Sequence, residues 1–111
     1  MNYDGKRFRP VTNSDNGEVD SSMVFEYKQE GQILTCSYSG GQIVTGHLIG
    51  LVSNDGLIDM RYHQINKAGE INTGICQSTP EVMPNGKVRL HENWQWTSGD
   101  QSQGTSLLEE I

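Results

Sequence analysis

The sequence predicts an all-β protein, an antiparallel up-and-down meander of about eight strands closed into a barrel. Three observations support this prediction. Glycine-ended turn motifs recur along the chain, apolar residues alternate with polar ones, and helical periodicity is nearly absent. A meander with open edges would leave its first and last strands unpaired, so we expect these two runs to pair and close the barrel.

The elements follow in chain order, separated by turn signals. The stretches Thr12–Ser22 and Ser98–Gly104 are polar and predict long loops. We expect the 111 residues, 1–111, to form a single domain. The strand-like runs lie at roughly 6–12, 22–30, 32–39, 42–53, 57–66, 70–80, 87–97 and 105–111.

Four of the turns end in glycine. A three-residue loop of this kind is a type I turn closed by a G1 bulge, because glycine takes the left-handed third position at little cost. Such loops fix the pairing register, so that Leu48 lies opposite Tyr62 and Cys76 opposite Trp94. The motifs are Gln29-Glu30-Gly31, Asn54-Asp55-Gly56, Lys67-Ala68-Gly69 and Pro84-Asn85-Gly86.

This register sets large apolar residues against small ones on one face and places charged residues on the other. The charged face meets water, so the first face lies inside the barrel. Cys36 and Cys76 fall on opposite faces, where they could not form a disulfide, in keeping with a reduced cytoplasm. The inner set is Gly46, Leu48, Gly50, Val52, Ile58, Met60, Tyr62, Gly74, Cys76, Ser78, Leu90, Trp94 and Trp96; the outer set is Asp59, Arg61, His63, Lys87, Arg89 and His91.

Several apolar residues fall on the outer face, and such a cluster needs an explanation. Two interpretations are open. The N-terminal segment or the long loop covers them, or they form the surface of a homodimer. They are Ile49, Leu51, Ile65, Ile71 and Ile75.

The inner face carries a candidate ligand site. Glu92 lies among aromatic residues, and burial there should raise its pKa toward that of a general acid or base. The alternative is a structural carboxylate bonded to Ser78, Gln64 or a tyrosine. Several inward polar groups, Asn72 included, indicate a wet cavity. The candidate ligand-binding residues are Tyr27, Tyr62, Gln64, Glu92, Trp94 and Trp96.

Composition excludes other classes. The net charge is −6 and the eight basic residues are scattered, so we expect neither nucleic acid nor an anionic membrane as a partner. We expect no cofactor and no metal, because the opposed His47 and His63 supply only two ligands. The first residues contain no apolar run and the chain no membrane-length helix, so we expect a cytoplasmic protein without a signal peptide.

The opening Gly5-Lys6-Arg7-Phe8 and the following meander resemble the calycin group (lipocalins, fatty-acid-binding proteins and avidins). The chain is also similar to a set of small bacterial proteins, some of them labelled N-acetylglutamate synthase. That activity needs a helix N-terminus and a glycine-bearing loop for acetyl-CoA, which the sequence does not offer. The shared stretches are Tyr38–Gly41, Gly46–Gly50, Asp59–His63 and Trp94–Asp100.

The sequence therefore favours non-enzymatic binding of a small, partly apolar ligand inside the barrel. Two alternatives stay open. One is an enzyme that uses Glu92 as general acid or base in the cavity. The other is an interaction protein that dimerises through its outer apolar face.

Overall fold

The structure, a computed structural model, describes all residues from 1 to 111. It has nine antiparallel strands and no helix, which confirms the all-β prediction. The chain has no helix of the length and apolarity that a membrane crossing needs. The strands are β1 (Arg7–Asn13), β2 (Phe25–Glu26), β3 (Lys28–Glu30), β4 (Ile33–Gly40), β5 (Ile43–Val52), β6 (Ile58–Asn66), β7 (Ile71–Val82), β8 (Val88–Trp96) and β9 (Gln103–Glu110).

The barrel is closed by pairing of the first strand with the last. β1 pairs with β9, as predicted. β2 pairs with β1 and β3 with β4, and Tyr27 alone separates β2 from β3. The Tyr27 N–H donates to the Lys6 carbonyl at 2.9 Å, and its carbonyl accepts from the Gly5 N–H at 2.9 Å. β2 and β3 thus act as one bent strand, which corresponds to the predicted run 22–30.

Three of the predicted turns have the predicted geometry. Gly56, Gly69 and Gly86 have φ angles of 84°, 79° and 83°, in the left-handed region that favours glycine. In each turn the residue before the loop donates its N–H to the carbonyl of the residue after it, at 2.8–3.0 Å. The predicted register of β5 with β6, β6 with β7 and β7 with β8 is therefore confirmed.

The first turn differs from the prediction. Glu30 pairs with Ile33, so the loop contains only Gly31 and Gln32, and Gly31 has a φ of 61°. Glycine in the first position is typical of a two-residue type II′ hairpin. Because side chains alternate along a strand, a loop of two residues instead of three reverses both faces of β4.

This reversal corrects the placement of the cysteines. Leu34, Cys36 and Tyr38 of β4 all point into the barrel and are buried. Cys36 therefore shares the inner face with Cys76, and the prediction of opposite faces is wrong. Both thiols are free.

The predicted inner face of β5 to β8 is confirmed by burial. Its residues are buried or, for Tyr62, half-buried, while the charged residues of the other face are exposed or half-buried. The large apolar residues of the inner face belong to one core of nineteen buried hydrophobic residues, against which Tyr62 and Val19 pack. The barrel therefore has a single interior, and the candidate site residues face it.

Glycines make room for the largest side chains of this interior. Tyr62 lies opposite Gly74, and a Cβ atom added to Gly74 would be 2.2 Å from the Tyr62 ring. Two further aromatic residues are accommodated in the same way by a glycine on the next strand. The added Cβ would be 2.3 Å from the ring in both remaining pairs, Tyr38 with Gly46 and Trp94 with Gly104.

The two ends of the barrel are covered by different segments. At one end Tyr3 is fully buried, and its hydroxyl donates to the Gly56 carbonyl at 2.5 Å. At the other end lies the connection between β1 and β2, residues 14–24, here called the mouth loop. Asn13 holds it by donating from Nδ2 to the Val19 carbonyl at 2.8 Å.

Neither segment covers the outer apolar residues. Ile49, Leu51 and Ile71 are 52%, 61% and 68% exposed. The interpretation that the N-terminal segment or the long loop shields them is therefore wrong, because both segments are used to close the barrel ends.

We predict that Gly74→Ala destabilises the protein by about 1–3 kcal/mol, since the new methyl group overlaps the Tyr62 ring. Urea denaturation measures the change. The control is a double-mutant cycle with Tyr62→Leu, a side chain that leaves room for the methyl group. An equal cost of Gly74→Ala in both backgrounds would show that the ring contact is not its cause.

Candidate functional site

A cavity of about 60 Å³ lies among the inward side chains of the barrel. Its walls are mainly apolar and aromatic, and its outer end is formed by Glu18 and Val19 of the mouth loop. All of the predicted ligand-binding residues line it: Tyr27, Tyr62, Gln64, Glu92, Trp94 and Trp96.

Polar groups gather in the interior around Glu92. The Ser78 hydroxyl donates to Glu92 Oε2 at 2.8 Å, so one of the structural partners considered from the sequence is present. Ser78 is itself 1% exposed. Tyr27 is fully buried, and its hydroxyl has no hydrogen-bond partner in the protein. An unpaired hydroxyl in a protein interior is costly and needs an explanation.

Burial raises the pKa of Glu92 to about 7, and hydrogen bonding from Ser78 and Cys76 offsets part of the rise. Glu92 is half-buried and is one of the residues that line the cavity. Burial also raises the pKa of the Tyr27 phenol well above its usual value, and the charge of Glu92 raises it further. Near neutral pH the site thus holds a neutral phenol beside a carboxyl group that exchanges its proton.

Aromatic rings form the walls between these groups and the mouth. The Trp94 and Trp96 ring centroids are 5.7 Å apart, and Tyr62 stands edge-on to Trp96 at 5.6 Å. Trp94 Nε1 donates to Ser106 Oγ at 2.8 Å. Trp96 Nε1 donates to the Asn16 carbonyl at 3.0 Å, so both indole N–H groups are paired within the protein.

The mouth is closed by Glu18 of the mouth loop. Its carboxylate accepts hydrogen bonds from Gln64 Nε2 at 2.9 Å, Asn66 Nδ2 at 2.8 Å and Asn72 Nδ2 at 3.3 Å. Asn72, which the sequence predicted to point into the barrel, therefore lies at the mouth, where it contacts Glu18.

Sequence reasoning missed several contributors to this site, among them Glu18, Tyr38 and Asn13. Glu18 lies in a segment predicted only as a polar loop, whose position no register fixes. A three-residue first turn points Tyr38 outward, yet its hydroxyl donates to Gln64 Oε1 at 2.8 Å. Asn13 was assigned no role at all. A two-residue alternative for the first turn would have found Tyr38; no signal in the sequence would have found Glu18.

Other candidate chemistry does not assemble. The His47 and His63 rings stack at 5.7 Å on the outer face, and no group of three or more histidine, cysteine, aspartate or glutamate residues is arranged to hold a metal ion. Cys76 is buried beside Trp94, and burial raises the pKa of its thiol, so it stays protonated as a packing residue.

The whole chain, residues 1–111, matches the family model described as "Avidin-like protein". Among solved structures, the crystal structure of apo shwanavidin (P1 form) aligns with a TM-score of 0.60 and 13% sequence identity, over 100% of this chain and 97% of that chain. At this low identity, the structural match shows that the two proteins share a fold and no more. No curated protein matches the sequence. The predicted calycin-like barrel is thereby confirmed, and because the family model spans every residue, the chain belongs to the avidin-like protein family.

Proposed function

We propose that this protein is a non-enzymatic binder of a small, partly apolar ligand held inside the barrel. The observation that carries the proposal is the buried Tyr27 hydroxyl, which has no partner in the protein and belongs to a residue that lines an aromatic cavity. A polar group of the ligand would supply the missing partner. Membership of the avidin-like family is consistent with small-ligand binding.

The lining defines what such a ligand would present. A flat or apolar body fits between Trp94, Trp96 and Tyr62. A polar head would meet Glu92, which donates a hydrogen bond when protonated and accepts one when ionised. A carboxyl group with a pKa of about 7 is able to do either near neutral pH.

The size of the cavity adds a constraint. At about 60 Å³ it has room for a few water molecules, whereas small-molecule sites usually measure several hundred Å³. A ligand larger than a few atoms therefore requires the mouth loop to move, because Glu18 and Val19 of that loop form the outer end of the cavity.

Catalysis by Glu92 is the second candidate, favoured by its pKa of about 7, which suits a general acid or base. Binding accounts better for the geometry, because the hydroxyl bonded to Glu92 belongs to Ser78, which does not line the cavity.

We also propose a cytoplasmic location and a homodimer. Two free, buried thiols suit a reducing compartment. The outer isoleucine face, defined as Ile33, Ile49, Leu51, Ile65 and Ile71, is exposed and consists of two groups on neighbouring strands, with Ile33 paired to Leu51 in one and Ile65 to Ile71 in the other. A second copy of the chain would bury it.

We predict that Tyr27→Phe raises the free energy of unfolding by about 1 kcal/mol, because it removes an unpaired buried hydroxyl. Tyr38→Phe is the matched control: it removes a hydroxyl that donates to Gln64, so it should lower stability by about 1–2 kcal/mol. Chemical denaturation of both variants measures the difference. Equal destabilisation by the two variants would mean that Tyr27 has a partner without any ligand, and the proposal would lose its basis.

Thermal shift and tryptophan fluorescence with indole, phenol and biotin then test ligand binding in the wild type and in Tyr27→Phe.

We predict that the stability of the protein falls as the pH rises from about 4.5 to about 7, by about 3 kcal/mol from Glu92 alone. In the unfolded chain Glu92 loses its proton at the lower pH, whereas in the folded protein it keeps the proton until the higher one. The folded state is therefore penalised once the carboxylate is ionised. Glu92→Gln should flatten this slope in urea titrations across that range, while the exposed Glu30→Gln keeps it. An unchanged slope in Glu92→Gln would show that Glu92 is not the group responsible.

We predict that Leu51→Lys converts the homodimer to a monomer, because it places a charge within the outer isoleucine face, opposite Ile33. Val82→Lys is the control, since Val82 is equally exposed at 61% but lies outside that face. Sedimentation velocity at several concentrations measures the change. A wild-type protein that stays monomeric at high concentration would refute the dimer.

A further inference from the structure

The charged residues that line the cavity are all acidic. Glu18 lies at the mouth and Glu92 in the interior, and no lysine, arginine or histidine belongs to the lining. The net charge of −6 adds to the negative potential of this space. An acidic ligand would therefore find no cation in the cavity, whereas a cationic ligand would find carboxylates along its path.

The two carboxylates differ in how far the protein itself pairs them. Glu18 accepts hydrogen bonds from three side-chain amides, whose carbonyl ends accept in turn from hydroxyl and backbone N–H donors of the protein. These amides belong to Gln64, Asn66 and Asn72. Glu18 is thus paired without a ligand, so it is not the group that a ligand must complete.

Glu92 has no such set of donors. Its hydrogen bond from the Ser78 hydroxyl, at 2.8 Å, comes from a neutral group, and Glu92 belongs to none of the ion pairs of the structure. A carboxylate removed from water costs free energy unless a positive charge or several hydrogen bonds compensate it. A cation bound beside Glu92 would supply that compensation.

The surroundings of Glu92 suit an ammonium group. Tyr62, Trp94 and Trp96 line the same cavity, and aromatic rings attract a cation that lies within about 6 Å of the ring centre. The buried Tyr27 hydroxyl, which has no partner, is able to accept a hydrogen bond from an ammonium N–H. Tyr27 lies near enough to Glu92 for the carboxylate charge to raise the pKa of its phenol. An ammonium group has several N–H donors, so a single one could serve both residues.

We propose that the ligand is a small organic cation, an ammonium group on an aromatic or apolar body, and that Glu92 is its counter-ion. The inference rests on the proposed function of small-ligand binding inside the barrel and names the class of ligand. The ammonium group would lie between Glu92 and Tyr27, and the body would extend past the tryptophans toward the mouth. The charge of Glu92 would then select the ligand.

The test compares benzylamine, benzyl alcohol and benzoate by isothermal titration calorimetry at about pH 8, where Glu92 is ionised and the amine protonated. The probes are close to one another in shape, and each requires the mouth loop to move, so the comparison isolates the charge. Benzylamine should bind at least about tenfold more tightly than benzyl alcohol, because a charge-assisted hydrogen bond is stronger than a neutral one. Benzoate should bind most weakly.

Variants identify the counter-ion. Glu92→Gln should remove the difference between benzylamine and benzyl alcohol, since it keeps the shape of the side chain and deletes its charge. Glu30→Gln is the matched control: it deletes an exposed carboxylate outside the cavity and should keep the difference. Glu18→Gln tests the other carboxylate of the lining. A difference that disappears in Glu18→Gln and survives in Glu92→Gln would overturn the assignment to Glu92.

Proton release gives a readout that needs no variant. At about pH 6 Glu92 is largely protonated, so benzylamine should release about one proton on binding, whereas benzyl alcohol should release none. Titrations in two buffers of different ionisation enthalpy measure the proton count. Tight binding of benzylamine without proton release would overturn the pairing with Glu92. The thiols and phenols of the interior stay neutral at this pH because burial raises the pKa of each; they belong to Tyr3, Tyr27, Cys36, Tyr38, Tyr62 and Cys76.

The wild-type affinities separate this inference from the proposed function. Equal affinity for benzylamine and benzyl alcohol, or tighter binding of benzoate, would overturn the cationic ligand and leave the proposed function standing. Failure of all three probes to bind would also overturn it, and would extend to the proposed function only if indole, phenol and biotin fail as well.

Discussion

Three aromatic side chains point into this narrow barrel only because each lies across a glycine of the neighbouring strand. A single Cβ atom at Gly46, Gly74 or Gly104 would overlap the facing ring. The rings in turn cover glycine backbone that would otherwise be exposed to the interior. This steric pairing lets Tyr38, Tyr62 and Trp94 line one cavity, which measures about 60 Å³.

The two regions of that cavity differ in how their polar groups are paired. At the mouth, Glu18 is bonded to amides whose other ends are held by the barrel, so every group has a partner. In the interior, the Tyr27 hydroxyl has none, and Glu92 relies chiefly on Ser78. Unpaired and desolvated groups lower stability, and proteins accept that cost mainly where a ligand restores the pairing. This contrast between a fully paired mouth and an unpaired interior is the basis of the proposed binding function.

Much of this architecture was predictable. The loops ending in Gly56, Gly69 and Gly86 fixed the register of β5 to β8, because glycine alone adopts the left-handed position cheaply and the loop length then sets the pairing. The same register put Tyr62, Gln64, Glu92, Trp94 and Trp96 on the inner face. At Gly31 the same reasoning failed. A glycine followed by glutamine also suits a two-residue turn, and the local sequence does not distinguish the two lengths. That ambiguity reversed β4 and misplaced Cys36 and Tyr38.

What the sequence by itself determined was the fold class, the order of the strands and the sidedness of half the barrel, because turns and side-chain alternation are local properties. Only the tertiary structure decided where the mouth loop lies, that Glu18 meets the amides of Gln64, Asn66 and Asn72, and that the Tyr27 hydroxyl finds no partner. These facts depend on contacts between residues such as Glu18 and Asn72, which are 54 positions apart in the chain and which no local pattern connects.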